Sequence, residues 1–350
     1  MILSDMIGSL TSCHRDHGAA GTNSSSRLAP SIGGLLGEET VLDAVTSYQH
    51  DRRRFCLATL VGVEGGSPRP VGAQMAICED GRYHGYLSGG CLEQTVILEA
   101  QAAIADQRNR LVRYGKGSPY FDVRLPCGSG LDIYFDTNLN SALIDEILAH
   151  HARRQPFEVE TNLDTGKSCV VAPGCGTPGH GERQDGLFRR AYLPRLRMLP
   201  LGSGPAVAAI HYLASAIGMQ VVTWVGDEAT RRELDRRSIC YARDIDPAIS
   251  IRASADSFTA AVIAFHDHDR EPEILATLLA RDCFYVGVLG STKVHELRLE
   301  RLRQLGVSQS KLSGIKAPIG AIAGAKSNAT LATGVLAEVL TEAKSRGMVG

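Results

Sequence analysis

The sequence predicts two α/β domains, a mixed N-terminal one followed by one built on a doubly wound parallel sheet. Three observations lead there. After residue 192, short apolar runs alternate regularly with segments of helical periodicity, the pattern of a parallel sheet covered by helices on both faces. A glycine turn, Gly202-Ser203-Gly204-Pro205-Ala206-Val207, falls between the first such run and the first such helix, and Asp227 follows the next run, so the unit is Rossmann-like. Before residue 168, strand and helix patterns mix without simple alternation.

Taken in order, residues 1–37 are rich in Ser and Gly and lack the basic and apolar regions of a secretory signal, and read as a flexible leader. Residues 38–168 form the first domain. Val41, Leu42, Val45 and Tyr48 recur at helical spacing, with Arg52, Arg53 and Arg54 at the end where cations are favourable. Residues 55–63, apolar but for Thr59 and Gly62, are expected as a buried strand. A Gly/Pro loop at 65–70 separates it from a second strand at 73–78, which a turn at 79–81 closes. A helix is expected from Cys91 to about residue 105, a strand at 131–135 and a helix at 141–151. Residues 169–191, dense in Gly and Pro, are expected as the interdomain linker. The second domain, 192–350, carries strands at 196–201, 220–225, 260–265 and 284–289, with a helix at 206–217 after the first.

The chain has 350 residues, 44% of them hydrophobic, and 37 basic against 38 acidic side chains, for a formal net charge of -1. That balance gives no general attraction to nucleic acid or to an anionic membrane, and no apolar run is long enough to span a bilayer. Small molecules or proteins are the expected partners. Nine cysteines, an odd number without the spacing of a disulfide scaffold, read as reduced thiols in a cytoplasm.

Two thiols stand apart because glycines frame them: Ser88-Gly89-Gly90-Cys91 and Pro126-Cys127-Gly128-Ser129-Gly130. Glycines let backbone approach a bulky ligand and aim N–H groups at an anion, and a thiol at a helix start lies beside amides without intrahelical partners, which favour the thiolate. Cys91 is therefore a candidate ligand or sulfur nucleophile, and Glu93 a helix-start charge or general base. In Ser67-Pro68-Arg69-Pro70-Val71-Gly72-Ala73-Gln74, two prolines restrict Arg69, suiting a guanidinium held for a phosphate or carboxylate. Gly202, Gly204 and Asp227 are the nucleotide candidates, although Val207 adds β-branched bulk where close helix packing wants a small residue. His266-Asp267-His268 ends a strand run and is a metal or hydrogen-bonding candidate. Cys169, Cys175 and His180 lack zinc-knuckle spacing. Cys56, Cys78, Cys240 and Cys283 are expected as small buried hydrophobes, and Cys13 lies in the leader.

The segments GGSPRPVGAQMAI (65–77), LSGGCLEQTV (87–96) and LPCGSGLDIYFD (125–136), with YVGVLGSTKVHELRLERL (285–302) and APIGAIAGAKSNATLATGVLAEVL (317–340), resemble the XdhC/CoxI family, accessory proteins of molybdenum hydroxylases. The resemblance implies a chaperone that binds molybdenum cofactor, as molybdopterin or its cytidine dinucleotide form. It would support sulfuration of the cofactor and pass it to a xanthine dehydrogenase-like or aldehyde oxidase-like apoenzyme. It implies a homodimer, a cysteine desulfurase as a further partner, and cofactor contacts from Cys91, Gly89, Gly90, Arg69, Gln74 and Cys127, with Cys91 able to hold molybdenum as a soft thiolate. The chain departs from the family at 202–207, where a GAGHVA-like turn is usual, and at 324–332, where the usual Pro and acids are missing. Those departures bear on the nucleotide role of Gly202, Gly204 and Asp227. The rival reading is an NAD(P)-dependent oxidoreductase using those three residues.

Overall fold

The computed structural model describes residues 39–118, 128–173, 181–237, 239–244, 246–265 and 271–349. The leader, Cys127, Cys175, His180 and His266-Asp267-His268 lie outside them. The described residues fall into two compact units, 39–195 with 344–349, and 196–343.

The first unit runs α1 (Glu39–His50), β1 (Phe55–Glu64), β2 (Gln74–Cys78), β3 (Tyr83–Gly85), α2 (Glu93–Asp106), β4 (Arg110–Gly115), β5 (Gly130–Asp136), α3 (Ser141–Ala152), β6 (Phe157–Asn162), β7 (Ser168–Val171), β8 (Gly181–Gln184) and β9 (Leu187–Tyr192). Five strands make an antiparallel sheet in the order β3-β2-β1-β5-β4. Because side chains alternate across a strand, Cys56, Ala58 and Leu60 of β1 enter one core with Val96, Ala100 and Ala103 of α2, while Leu57 and Val61 serve the opposite face. Both faces of β1 are covered, which is why its sequence is mostly apolar rather than alternating.

The stretch 169–191 is not a bare linker. It supplies all of β8 and most of β7 and β9, which pair with β6 as a second antiparallel sheet, β7-β6-β9-β8. The Gly and Pro density conceals alternation such as that of Leu187-Phe188-Arg189-Arg190-Ala191-Tyr192, in which Phe188, Arg190 and Tyr192 are buried. The two sheets are stitched together by Gly181 N donating to Val71 O (3.1 Å), Arg190 Nε to Gly72 O (2.7 Å) and Tyr192 OH to Gln74 Oε1 (3.0 Å).

A small cavity of about 30 Å³ between these sheets is lined by Thr59, Gln74, Tyr134, Asp136, Arg190 and Tyr192, among others. Burial pushes the Asp136 carboxyl above its ordinary range, against the opposing pull of hydrogen bonds from Asn138 and Asn109. A carboxyl raised in the folded state binds its proton more tightly there. Its contribution to stability is present below the ordinary pKa of about 3.9 and is lost as pH climbs through the raised value. Asp136→Asn keeps the acceptor for Asn138 N (3.0 Å) without the charge. It is expected to raise Tm at pH 7, with the gain over wild type vanishing towards pH 3; thermal melts across that range measure it.

The second unit runs β10 (Arg197–Gly202), α4 (Pro205–Ala216), β11 (Gln220–Val221), β12 (Trp224–Val225), α5 (Glu228–Arg236), α6 (Pro247–Ser254), β13 (Thr259–Ala264), α7 (Glu271–Leu279), β14 (Tyr285–Val288), α8 (Thr292–Gln304), α9 (Gln309–Ser313), β15 (Ile315–Lys316) and α10 (Asn328–Ser345). Its strands are parallel, ordered β11-β10-β13-β14-β15, with β12 continuing β11 along β10. Ala242 adds a one-residue parallel bridge outside Trp224, so the chain order across the sheet is that of a Rossmann fold whose third strand has shrunk to a bridge. Val207, expected to obstruct packing of the first helix, is fully buried in one cluster with Val225, Leu234 and Ala264. Its bulk fills the space it was expected to lack.

Candidate functional site

Three loops of the first unit meet at one end of the five-stranded sheet. The loop after β1 carries Gly65 to Pro70, the loop before α2 carries Tyr86 to Leu92, and the segment leading into β5 carries Gly128 and Ser129. Ser129, almost fully buried, donates its hydroxyl to Gly66 O and accepts Lys116 N at its carbonyl (2.9 Å), tying the third loop to the first. A Cβ built on Gly89 would lie 4.0 Å from Pro68 Cγ, so the second loop rests against the first. Around Gly66, Gly90 and Gly128 the space is open: a Cβ at any of them meets nothing within 4 Å.

The loop bearing Cys91 is organised from within. Glu93, the first residue of α2, turns its buried carboxylate back so that Oε1 accepts Ser88 N (2.9 Å) and Oε2 accepts the Ser88 hydroxyl (2.7 Å) and Leu92 N (3.2 Å). Ser88 Oγ also accepts Leu92 N (3.1 Å) and the Cys91 thiol (3.6 Å). Glu93 is thus the acidic cap of the turn, the helix-start role of the two expected for it. Cys91 itself is exposed, just after Gly90, whose φ of 104° only glycine adopts readily.

Arg69 joins this loop. Its amide donates to Ser67 Oγ (3.2 Å), its guanidinium lies over the Tyr86 ring with Cζ 4.5 Å from the centroid, and its Nε is buried without a hydrogen-bond partner. Arg69, Gly89, Gly90 and Cys91 are therefore brought together, and Ser129 carries the segment after Cys127 to the same place. Gln74 is elsewhere. Its amide lies in the interior between the two sheets, donating to Thr59 Oγ1 (3.2 Å) and accepting Tyr192 OH. Sequence reasoning passed over Tyr86, Ser88 and Ser129. The polar character of Ser88 and Ser129 inside apolar, glycine-rich surroundings was the available signal.

Gly202, Gly204 and Asp227 gather in the second unit, at the carboxyl ends of β10 and β12. Gly202 closes on Ala264 of the neighbouring strand, Gly204 caps α4 and donates its amide to Thr230 Oγ1 (2.7 Å), and Asp227 Oδ1 caps α5 by accepting Thr230 N (2.8 Å). Asp227 Oδ2 is buried, and against the opposing effect of burial Thr230, the Ser203 hydroxyl and the Gly204 amide hold its carboxyl below the ordinary range. Of the other thiols, Cys56 and Cys78 are buried as expected, Cys283 is half-buried, and Cys169 is exposed. Cys240, expected inside, is also exposed; it follows the end of α5, where the chain crosses back to the Ala242 bridge. Among the described residues, no cluster of three His, Cys, Asp or Glu side chains could hold a metal ion, and no helix is long and apolar enough to cross a membrane.

Comparison with known proteins follows the same division. A model of the XdhC and CoxI family matches residues 48–115, and one of the XdhC Rossmann domain matches 198–339. The molybdenum cofactor insertion chaperone PaoD of Escherichia coli K12 is 34% identical over 283 residues, 81% of each chain. A protein of Bacillus subtilis described as a probable xanthine dehydrogenase subunit is 24% identical over 89% of this chain and 98% of its own. Among solved structures, one described as a xanthine dehydrogenase from Bacillus halodurans superposes with a TM-score of 0.68 at 21% identity, covering 88% of this chain and 96% of that one, which supports the fold. Identity at this level over most of both chains, together with the two matched domains, places the chain in the XdhC and CoxI family.

Proposed function

We propose that this protein is a maturation chaperone that takes molybdenum cofactor as cargo, supports its sulfuration and delivers it to a molybdenum hydroxylase apoenzyme of the xanthine dehydrogenase or aldehyde oxidase type. A cysteine desulfurase would be the sulfur donor, and a homodimer the working form. The observation that carries this reading is the meeting of three glycine-rich loops, one bearing the exposed Cys91 and another the half-buried Arg69. A soft thiolate suits molybdenum or a transferred sulfur atom, and a guanidinium, together with the amides of Gly89 and Gly90 on the neighbouring loop, suits the phosphate of the pterin. With no metal-binding cluster among the described residues, Cys91 would supplement ligands that the cargo brings.

The test is to mix purified protein with cofactor, remove the excess, and measure molybdenum and pterin fluorescence. Wild type is expected to retain both. Cys91→Ala is expected to lose at least about tenfold in retained molybdenum, since even indirect changes at a metal site cost that much. A Cys91→Ala protein that retains the metal and still matures the target overturns the proposal.

A second reading concerns the other unit. Asp227, at the carboxyl end of β12 with its carboxyl held below the ordinary range, against the effect of burial, by Thr230, Ser203 and Gly204, is the kind of ionised acceptor a ribose hydroxyl uses, which would place the nucleotide end of a dinucleotide cofactor there. Competition by a cytidine nucleotide, weakened by Asp227→Asn, supports this. Competition by NADH alone favours the oxidoreductase reading instead.

A further inference from the structure

We propose that Tyr86 is the positioning residue of Arg69, and that the pair presents one edge of the guanidinium, Nε with its neighbouring Nη, to a phosphate oxyanion of the cargo. The inference rests on the maturation reading above and adds a residue and a direction to it.

The argument begins with the backbone. Pro68 and Pro70 flank Arg69, fixing φ on either side and holding Arg69 itself away from the helical region, so its side chain departs from a stiff platform. The guanidinium then lies over the ring of Tyr86, 4.5 Å from Cζ to centroid. Stacking occupies a face of the planar group and leaves its hydrogen-bonding edges for other partners. Among the described residues, no carboxylate lies within ion-pair reach of this guanidinium, and Nε, though buried, has no acceptor. A buried donor without an acceptor carries a desolvation cost that an incoming oxyanion would relieve. Nε–H and one Nη–H point in parallel, the fork that takes two oxygens of one phosphate, whereas a lysine ammonium offers a single point of charge. The second loop supplies the rest: Gly89 rests on Pro68, Gly90 opens onto free space, and Cys91 follows. Tyr86 stands two residues before Ser88, whose bonds to Glu93 fix the turn, so ring, guanidinium and thiol share one rigid loop pair.

The same chemistry fits a terminal phosphate monoester or the pyrophosphate link of a dinucleotide, and the experiment separates them. The full chain is prepared with 15N-labelled arginine and the Nε–H resonance of Arg69 is assigned by its loss in Arg69→Lys. Inorganic phosphate and dimethyl pyrophosphate are then titrated at constant ionic strength. The expected result is a shift of that resonance and slower exchange of its proton with water. A response to phosphate assigns the monoester, and a response to dimethyl pyrophosphate assigns the dinucleotide link; either supports the proposal. Tyr86→Phe, which keeps the ring, is expected to bind as wild type, and Tyr86→Leu about five- to tenfold more weakly, the range of a partly desolvated cation–π contact. No response to either anion overturns the proposal, as does a folded Tyr86→Leu protein that binds like wild type. Should Tyr86→Leu fail to fold, the wild-type titration alone still decides whether Arg69 takes the anion. Molybdenum retention by Cys91→Ala is scored separately. Its persistence counts against the cargo reading, while a silent Arg69 resonance counts against this inference alone.

Discussion

Arg298→Met is expected to lower the stability of the second unit by about 3–5 kcal/mol, the usual cost of removing one partner from a buried ion pair. Arg298 and Glu271 are 4% and 2% exposed, and the guanidinium Nε donates to the Glu271 carboxylate. The same guanidinium donates through Nη2 to Leu289 O (2.9 Å), just past β14, and through Nη1 to His295 Nδ1 (3.4 Å). One side chain on α8 therefore holds the start of α7 and the end of β14. Methionine fills the volume but leaves a buried carboxylate without its guanidinium and a carbonyl without its donor. The double variant Arg298→Met with Glu271→Leu is expected to recover most of the loss, because apolar pairs of similar volume replace buried ion pairs at little cost. Urea unfolding of the two variants measures both effects. A single variant within about 1 kcal/mol of wild type would show that the pair contributes no more than a surface salt bridge does.

What the sequence made legible divides along physical lines. Elements fixed by local pattern were readable: the apolar run of β1, the helical spacing of α1, the glycine turn between β10 and α4. Strands β7, β8 and β9 were not, because each is short, one face of each is polar, and their identity comes from pairing with β6 across stretches of sequence that Gly and Pro make look like a loop. Val207 illustrates the same limit inside the second unit. Whether a β-branched residue obstructs or fills a contact depends on what stands opposite, and here Val225, Leu234 and Ala264 make room for it.

The candidate site was legible where a residue's own chemistry singles it out, as the thiol of Cys91 and the guanidinium of Arg69 do. It was illegible where a residue acts through another. Nothing in the spacing of Ser88 and Glu93 says that the carboxylate folds back across five residues to bind both the amide and the hydroxyl of the serine. Nor does the distance in sequence between Tyr86 and Arg69 suggest a stacked pair. The position of Gln74 was hidden as well. Its motif runs through the Arg69 loop, but strand alternation turns its side chain into the interior, where Thr59 and Tyr192 take its amide.

Gly202→Ala is expected to destabilise the second unit by more than about 4 kcal/mol, a value reached only by a few mechanisms, among them steric conflict in a packed core. A Cβ there would lie 2.1 Å from Ala264 O and 2.5 Å from its carbonyl carbon, both backbone atoms of the adjacent strand, at a φ of 153°. Relief would require β10 and β13 to part where Gly202 pairs with Ala264, disturbing the bond from Ser203 N to Ala264 O (3.0 Å). Gly66→Ala is the control: its Cβ meets nothing and its φ is not positive, so stability should hold within about 0.5 kcal/mol. Chemical denaturation measures both, and a Gly202→Ala protein as stable as wild type would refute the packing argument. The consequence reaches beyond stability. The first glycine of the turn that suggested a nucleotide site is required by strand packing alone, so its presence says nothing about a ligand. A Gly202 variant that loses nucleotide binding would report only a damaged sheet. The nucleotide question belongs to Asp227, whose Oδ1 is committed to capping α5 and which can be changed to asparagine with the cap acceptor retained.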